Sequence, residues 1–310
     1  MAAPVPLRPA WLGYALMLVT ALGWAGAWIT AKLAAHDAPP ATVTVGRFVV
    51  AALALAPVWL ALERKRAPPR GRQWLLLAAM GLTGAATYTV LFLYGVRLAP
   101  SSDGAVLTPG LAGVFAMALT AALARRAPPR IAIAGASLAL AGCLLVGWNA
   151  IRSAEAGSTR PWGDLLYVLA AAVWAVYTVL GRRASGGGVG PVTSVLAVSV
   201  VGALLLLPLA LAVDGAPRLA SWSAAAWLNV LYLGLGATAI AFVTYYAAIQ
   251  LIGVDRAAPA MGLVPLFGVV GAAVLLDEPL TLLHAAGGAL VVAGIALPPL
   301  YANLARARAA

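Results

Sequence analysis

The chain has 310 residues, of which 63% are hydrophobic and only 9% are charged. Soluble domains carry about 25% charged residues, so this chain cannot cover its surface with them and its solvent is mostly lipid. The net charge of +11 is read as the basic bias of cytoplasmic loops in membrane proteins rather than as nucleic-acid binding, and the lone Cys143 excludes an internal disulfide.

Ten apolar segments follow one another, near 11–32, 41–62, 73–95, 103–124, 130–149, 162–182, 191–213, 223–247, 256–276 and 280–303. Each has about the length that spans roughly 30 Å of hydrocarbon as a helix. Short Pro- and Gly-rich breaks separate them, and no loop is long enough for a soluble domain. Residues 1–10 carry no small-residue cleavage site after a short apolar core, so the first segment is expected to be a retained helix.

Taken in order, the segments carry few polar or aromatic residues away from their ends. Trp24 and Trp28 lie four apart in the first and share a helix face, as do Tyr88 and Phe92 in the third. Trp174, Tyr177 and Thr178 follow an i, i+3, i+4 pattern in the sixth, and the eighth holds Tyr245 and Gln250. Such stripes suit a cavity that grips an apolar side chain by stacking and holds a polar end with hydroxyls. They equally suit helix packing, and Trp11, Trp59, Trp74, Trp148, Trp162, Trp222 and Trp227, near segment ends, are read as interface anchors. Gln250 either donates to a substrate or caps a helix.

Arg47 lies about 10 Å inside the second segment, at roughly 1.5 Å per residue. There an arginine costs a few kcal/mol unless it pairs, snorkels or faces a wet cavity. Two readings stand: its guanidinium attracts a substrate carboxylate, or it snorkels to the interface, with the balance slightly toward snorkelling. Lys32 is read as an interfacial charge, Asp277-Glu278 as the acidic start of the last helix, and His36 and His284 as isolated. Pro109 and Pro265 interrupt the fourth and ninth segments and are expected hinges.

Orientation follows from the basic residues. With the N-terminus inside, 14 fall on the cytoplasmic side and 5 on the other, which places both termini in the cytoplasm. Trp24 and Trp174, Pro40 and Pro191, Trp74 and Trp227, Gly81 and Gly234, Gly135 and Gly287, and Gly142 and Gly294 repeat at offsets of 150 to 153. A near-constant offset marks a duplication. The fold expected is therefore all-α and integral to the membrane, with ten transmembrane helices as two inverted five-helix repeats, 1–152 and 153–310. Such repeats are the common plan of secondary transporters, with the substrate near the midplane.

The run Tyr246-Ala247-Ala248-Ile249 with Pro265, Asp277-Glu278 and the glycines 287–294 resembles the carboxy-terminal half of an EamA-type transporter, of the drug/metabolite transporter superfamily. Trp24 with Lys32, Pro40 and Arg47 resembles its amino-terminal pattern. Two departures stand out: Arg126 occupies the place of Glu278, and Ala112 that of Pro265. The resemblance implies export of amino acids, aromatic ones included, across a bacterial inner membrane. Multidrug or other metabolite efflux is the alternative. The middle third of every segment lacks Asp and Glu, which favours neutral or zwitterionic cargo over obligate cations. No nucleophile–base pair or metal cluster is spaced for catalysis, so an enzyme, a cofactor and a metal are not expected. The partners expected are a small molecule and the lipid bilayer, with no nucleic acid. A monomer is the working oligomeric state, which the small residues on lipid-facing helices leave open.

Overall fold

A computed structural model describes residues 10–152, 157–216 and 219–309, and among them every regular element is helical. Among the described residues, nine helices are long and apolar enough to cross a membrane: α1 (Ala10–Asp37), α2 (Pro40–Leu62), α3 (Arg72–Leu98), α4 (Ser101–Ala124), α5 (Arg130–Arg152), α6 (Arg160–Gly186), α7 (Pro191–Val213), α8 (Ala224–Ile252) and α10 (Leu282–Ala309). Between the last two lies a shorter apolar helix, α9 (Ala260–Leu275). The expected boundary at 152/153 and the charges of Arg8 and Arg218 fall outside the described residues, as do the side chains of His36, Arg306 and Arg308.

The starts of these helices follow from their sequence. Pro40 and Pro191 open α2 and α7, where a missing N–H costs nothing and the fixed φ is already helical. Ser223 caps α8, its hydroxyl accepting from the Ala226 N–H at 3.1 Å. Three carboxylates cap a neighbouring helix instead of their own. Glu63, at the end of α2, accepts from the Thr193 N–H (2.8 Å) and hydroxyl (2.7 Å) at the start of α7. Asp214, after α7, accepts from the Thr42 N–H (2.7 Å) and hydroxyl (2.8 Å) at the start of α2. Glu278 accepts from the N–H groups of Ser101 and Ser102, at 2.7 and 2.8 Å, at the start of α4. Asp277-Glu278 is thus not the opening of the last helix, which begins four residues after Glu278 at Leu282; the carboxylate serves the amino-terminal dipole of another helix.

Packing runs in related sets. The most extensive contacts join α5 with α10, α2 with α7, α4 with α6, α1 with α8, α3 with α6 and α1 with α9. At the α5–α10 crossing, Gly142 and Gly287 meet backbone to backbone: a Cβ on Gly287 would stand 2.7 Å from the Gly142 carbonyl, and one on Gly142 would strike the Gly287 carbonyl. Gly135 and Gly294 repeat the arrangement, with a Cβ on either within 2.6 Å of the other's carbonyl. Small residues allow this approach, and close packing is what holds helices together in lipid.

Two segments depart from the α-helices expected. Gly81–Thr87 in α3 and Tyr232–Ile240 in α8 are π-helical. The Tyr88 N–H donates to Thr83 O and the Ala241 N–H to Gly236 O, each five residues back. These widened turns lie 153 positions apart at Gly81 and Gly234.

Candidate functional site

A cavity of about 1210 Å³ occupies the centre of the bundle, lined from α1 to α10. Its mouth lies among Arg126, Pro128, Arg182, Ser185 and Gln250, the ends of α4, α6 and α8 on one side of the bundle. At the opposite end Lys32 donates to Ala99 O at 2.9 Å, and Glu278 holds the start of α4. That end is sealed.

The wall is a continuous chain of rings from both halves. Tyr245 stands 5.4 Å from Trp24, Trp24 5.0 Å from Phe242, and Phe242 6.4 Å from Trp174. Trp174 lies 4.7 Å from Tyr88 and 4.8 Å from Tyr177. Tyr88 stacks on Phe92 at 5.9 Å, and Phe92 meets the edge of Trp28 at 4.7 Å. Trp28 and Phe92 are buried to 4% and 2% exposure and form the floor toward the sealed end. Trp28 fits there because Gly104 leaves room for its ring.

Arg47 is brought to this wall by glycine. A Cβ on Gly234 would stand 2.8 Å from Arg47 O, so α2 and α8 touch there and Thr238, one turn on in the π-helical segment, comes within reach. Arg47 Nε donates to Thr238 Oγ1 at 2.9 Å, and Thr238 Oγ1 donates in turn to Leu233 O at 2.8 Å. The guanidinium lies 5.5 Å from the Phe48 ring centre and lines the cavity. It turns inward, so the snorkelling reading does not hold. The ion pairs among the described residues involve Arg160 and His284 with Asp103, and none of them reaches Arg47. A cation in this position, with a hydroxyl on Nε and no carboxylate, leaves planar N–H donors for an incoming anion.

Of the expected substrate-site and hinge residues, all except Pro265 line the cavity: Trp24, Trp28, Arg47, Tyr88, Phe92, Trp174, Tyr177, Thr178, Tyr245, Gln250 and Pro109. Pro265 is buried in α9, where a 3₁₀ turn gives way to α-helix. Thr178 already donates to Trp174 O at 2.8 Å, leaving its oxygen as an acceptor. Gln250 is exposed at the mouth. The sequence reading missed Thr238 and Phe242. They precede Tyr245 by seven and three positions, and that spacing on one helix face was the available signal. It also missed His284, which is 2% exposed and bonded to Asp103 at 2.6 Å, not isolated.

Carboxylates are missing from the lining among the described residues. Polar groups in the lining are hydroxyls such as those of Thr108 and Thr178, the Gln250 amide, and the guanidinium groups of Arg47, Arg126 and Arg182.

The comparisons agree with a transport site. The EamA-like transporter family model matches twice, over residues 11–148 and 161–298. A protein of Streptantibioticus cattleyicolor described as a "Probable terminal-alkyne amino-acid exporter" is 30% identical over 91% of this chain and 91% of its own. A Salmonella typhimurium protein described as a "Probable amino-acid metabolite efflux pump" is 26% identical over 90% of this chain and 92% of its own. One solved crystal structure superposes with a TM-score of 0.66 at 23% identity, covering 94% of this chain and 97% of that one, which shows the shared fold. The chain is a multi-pass membrane protein and belongs to the EamA-like transporter family.

Proposed function

We propose that this protein is a secondary transporter that exports small neutral or zwitterionic metabolites, above all amino acids with apolar or aromatic side chains. The observation that carries the reading is Arg47: a buried guanidinium without a carboxylate partner among the described residues, set in an aromatic-walled cavity. A carboxylate docks on Arg47 and its side chain lies against Trp24, Tyr88, Trp174 and Tyr245. The ammonium group meets hydroxyls of the lining such as Thr108 and Thr178. An obligate cation finds no counter-charge in the lining, which disfavours multidrug efflux of the cationic kind.

The transport cycle is alternating access between two inverted five-helix repeats, 1–152 and 153–310. The exchange of packing partners supports this, since α4–α6 and α3–α6, which join the first half to the second, correspond to α9–α1 and α8–α1, which join the second half to the first. The basic bias of the loops places both termini, and the cavity mouth, on the cytoplasmic side of a bacterial inner membrane. The structure is then the inward-open form, and Pro109 and Pro265 are the bends on which helices pivot.

The test is counterflow in liposomes of the purified protein, with radiolabelled aromatic, aliphatic and charged amino acids in parallel. Saturable exchange of the first two, weakened in Arg47→Ala, is expected. Exchange of none of them by folded protein would overturn the amino-acid reading.

A further inference from the structure

The sealed end of the bundle holds a buried cluster that cargo binding does not use. Asp103, fully buried in the first turn of α4, receives two bonds from Arg160 at the start of α6: Nε to Oδ2 at 2.8 Å and Nη2 to Oδ1 at 3.0 Å. His284, at the start of α10, adds Nε2 to Oδ1 at 2.6 Å. The Thr281 N–H donates to His284 Nδ1 at 3.3 Å, and Arg160 Nη2 lies 3.4 Å from His284 Nε2. Asp164, one turn beyond Arg160, is 7% exposed, and neither of its oxygens receives a hydrogen bond. The group it faces is Asp103.

The surrounding charges do not supply the missing donor. Lys32, from α1, is bonded to Ala99 O, and Glu278, from the loop before α10, is bonded to Ser101 and Ser102. The Tyr167 hydroxyl, on α6, donates to Pro100 O. Among the described residues, Asp103 takes the bonds of Arg160 and His284, and Asp164 beside it takes none. An ionised Asp164 is then a buried charge that no donor stabilises. One proton removes that charge. Asp103 accepts three bonds and a carboxylate accepts about four, so its remaining site takes an O–H from Asp164.

We propose that the Asp103–Asp164 carboxyl pair is a proton-binding site, filled from the solution at the sealed end when that end closes and emptied into it when the end opens. This rests on the alternating-access reading above. Opening parts α4, α6 and α10, hydrates both carboxylates and lets each ionise alone. The closed form therefore holds one proton more than the open form, and acid favours closure. The open-to-closed ratio rises with pH by up to about tenfold per unit, the limit for one linked proton.

The test uses the full chain in lipid nanodiscs without cargo, in a Cys143→Ala background. Spin labels go on Trp162→Cys in α6 and Leu282→Cys in α10, both exposed (66% and 84%) and flanking the cluster. Distance distributions are recorded from about pH 5.5 to 8.5, a range set to cover one linked protonation. In the parent protein a longer component is expected to grow with pH. In Asp164→Asn the short distance should persist at every pH, and in Asp103→Asn, which loses both ion pairs, the long one should. Should Asp164→Asn not give monodisperse protein, Asp164→Glu is read instead, with a shifted midpoint expected and an unchanged one overturning the proposal. It is also overturned if the parent ratio is flat in pH while Asp103→Asn opens, if Asp164→Asn keeps the parent's pH dependence, or if His284→Gln alone abolishes it. A long component absent from every sample, Asp103→Asn included, overturns alternating access and the proton site with it.

Discussion

At the scale of single residues, the proposed amino-acid cargo makes Arg47 the residue to test. Hydrogen bonds to charged groups contribute about 1.5–3 kcal/mol, so Arg47→Ala is expected to raise the half-saturation concentration of an aromatic amino acid by about 10- to 100-fold. The amine with the same side chain and no carboxylate should change little, since it never used the guanidinium. Counterflow with both compounds checks this, and an unchanged amino-acid value sinks the carboxylate assignment. Arg47 and the aromatic residues were legible in the sequence because such side chains are rare inside apolar segments. What Arg47 does was not, because its partner Thr238 lies 191 positions away. The same holds for Asp103, whose partners Arg160 and His284 lie 57 and 181 positions away. A histidine without neighbours in sequence looked isolated and is in fact buried and bonded to Asp103.

Helices were legible as elements from length and hydropathy, but their irregularities were not. No residue preference distinguishes a π-helical turn from an α-helical one, and Gly81–Thr87 and Tyr232–Ile240 read as ordinary segments. The glycines at 135, 142, 287 and 294 were visible as a repeat, and the structure supplies their reason. Gly142→Ala puts a Cβ against the Gly287 carbonyl, an overpacking that costs about 1–3 kcal/mol, and thermal unfolding should report a lower midpoint. Gly147→Ala, on the same helix with open space around it, should stabilise by up to about 1 kcal/mol. Equal midpoints for the two variants would remove the close α5–α10 crossing from the account. The bend in α4 has a different readout. Pro109→Ala restores the N–H that Ala105 O lacks and straightens the helix. Turnover should fall several-fold with half-saturation kept, while unchanged turnover at normal expression would end the role of Pro109 as a hinge.

At the scale of the whole molecule, the proposed alternating access and the carboxylate caps together predict which helix pair moves. α2 and α7 are tied at both ends, by Glu63 on Thr193 and by Asp214 on Thr42. The two acids are 151 positions apart, and so are the two threonines. Among the described residues, α4 and α9 are tied at one end only, where Glu278 holds Ser101 and Ser102. The position related to Glu278 in the first half is Arg126, which lines the mouth and offers no acceptor to a helix start. The doubly tied pair therefore travels as one body, and the singly tied pair opens at its free end, where the cavity mouth is found. Replacing one cap should then have opposite kinds of effect in the two pairs. A cap of this type contributes about 0.5–2 kcal/mol, so at fixed pH Glu278→Gln should raise the population open at the sealed end by about 2- to 30-fold, read by the Trp162–Leu282 label pair. Asp214→Asn should lower the thermal midpoint by a similar free energy and leave that distance ratio where it was. If both variants shift the ratio alike, or if only Asp214→Asn does, the closure does not run through α4 and α9.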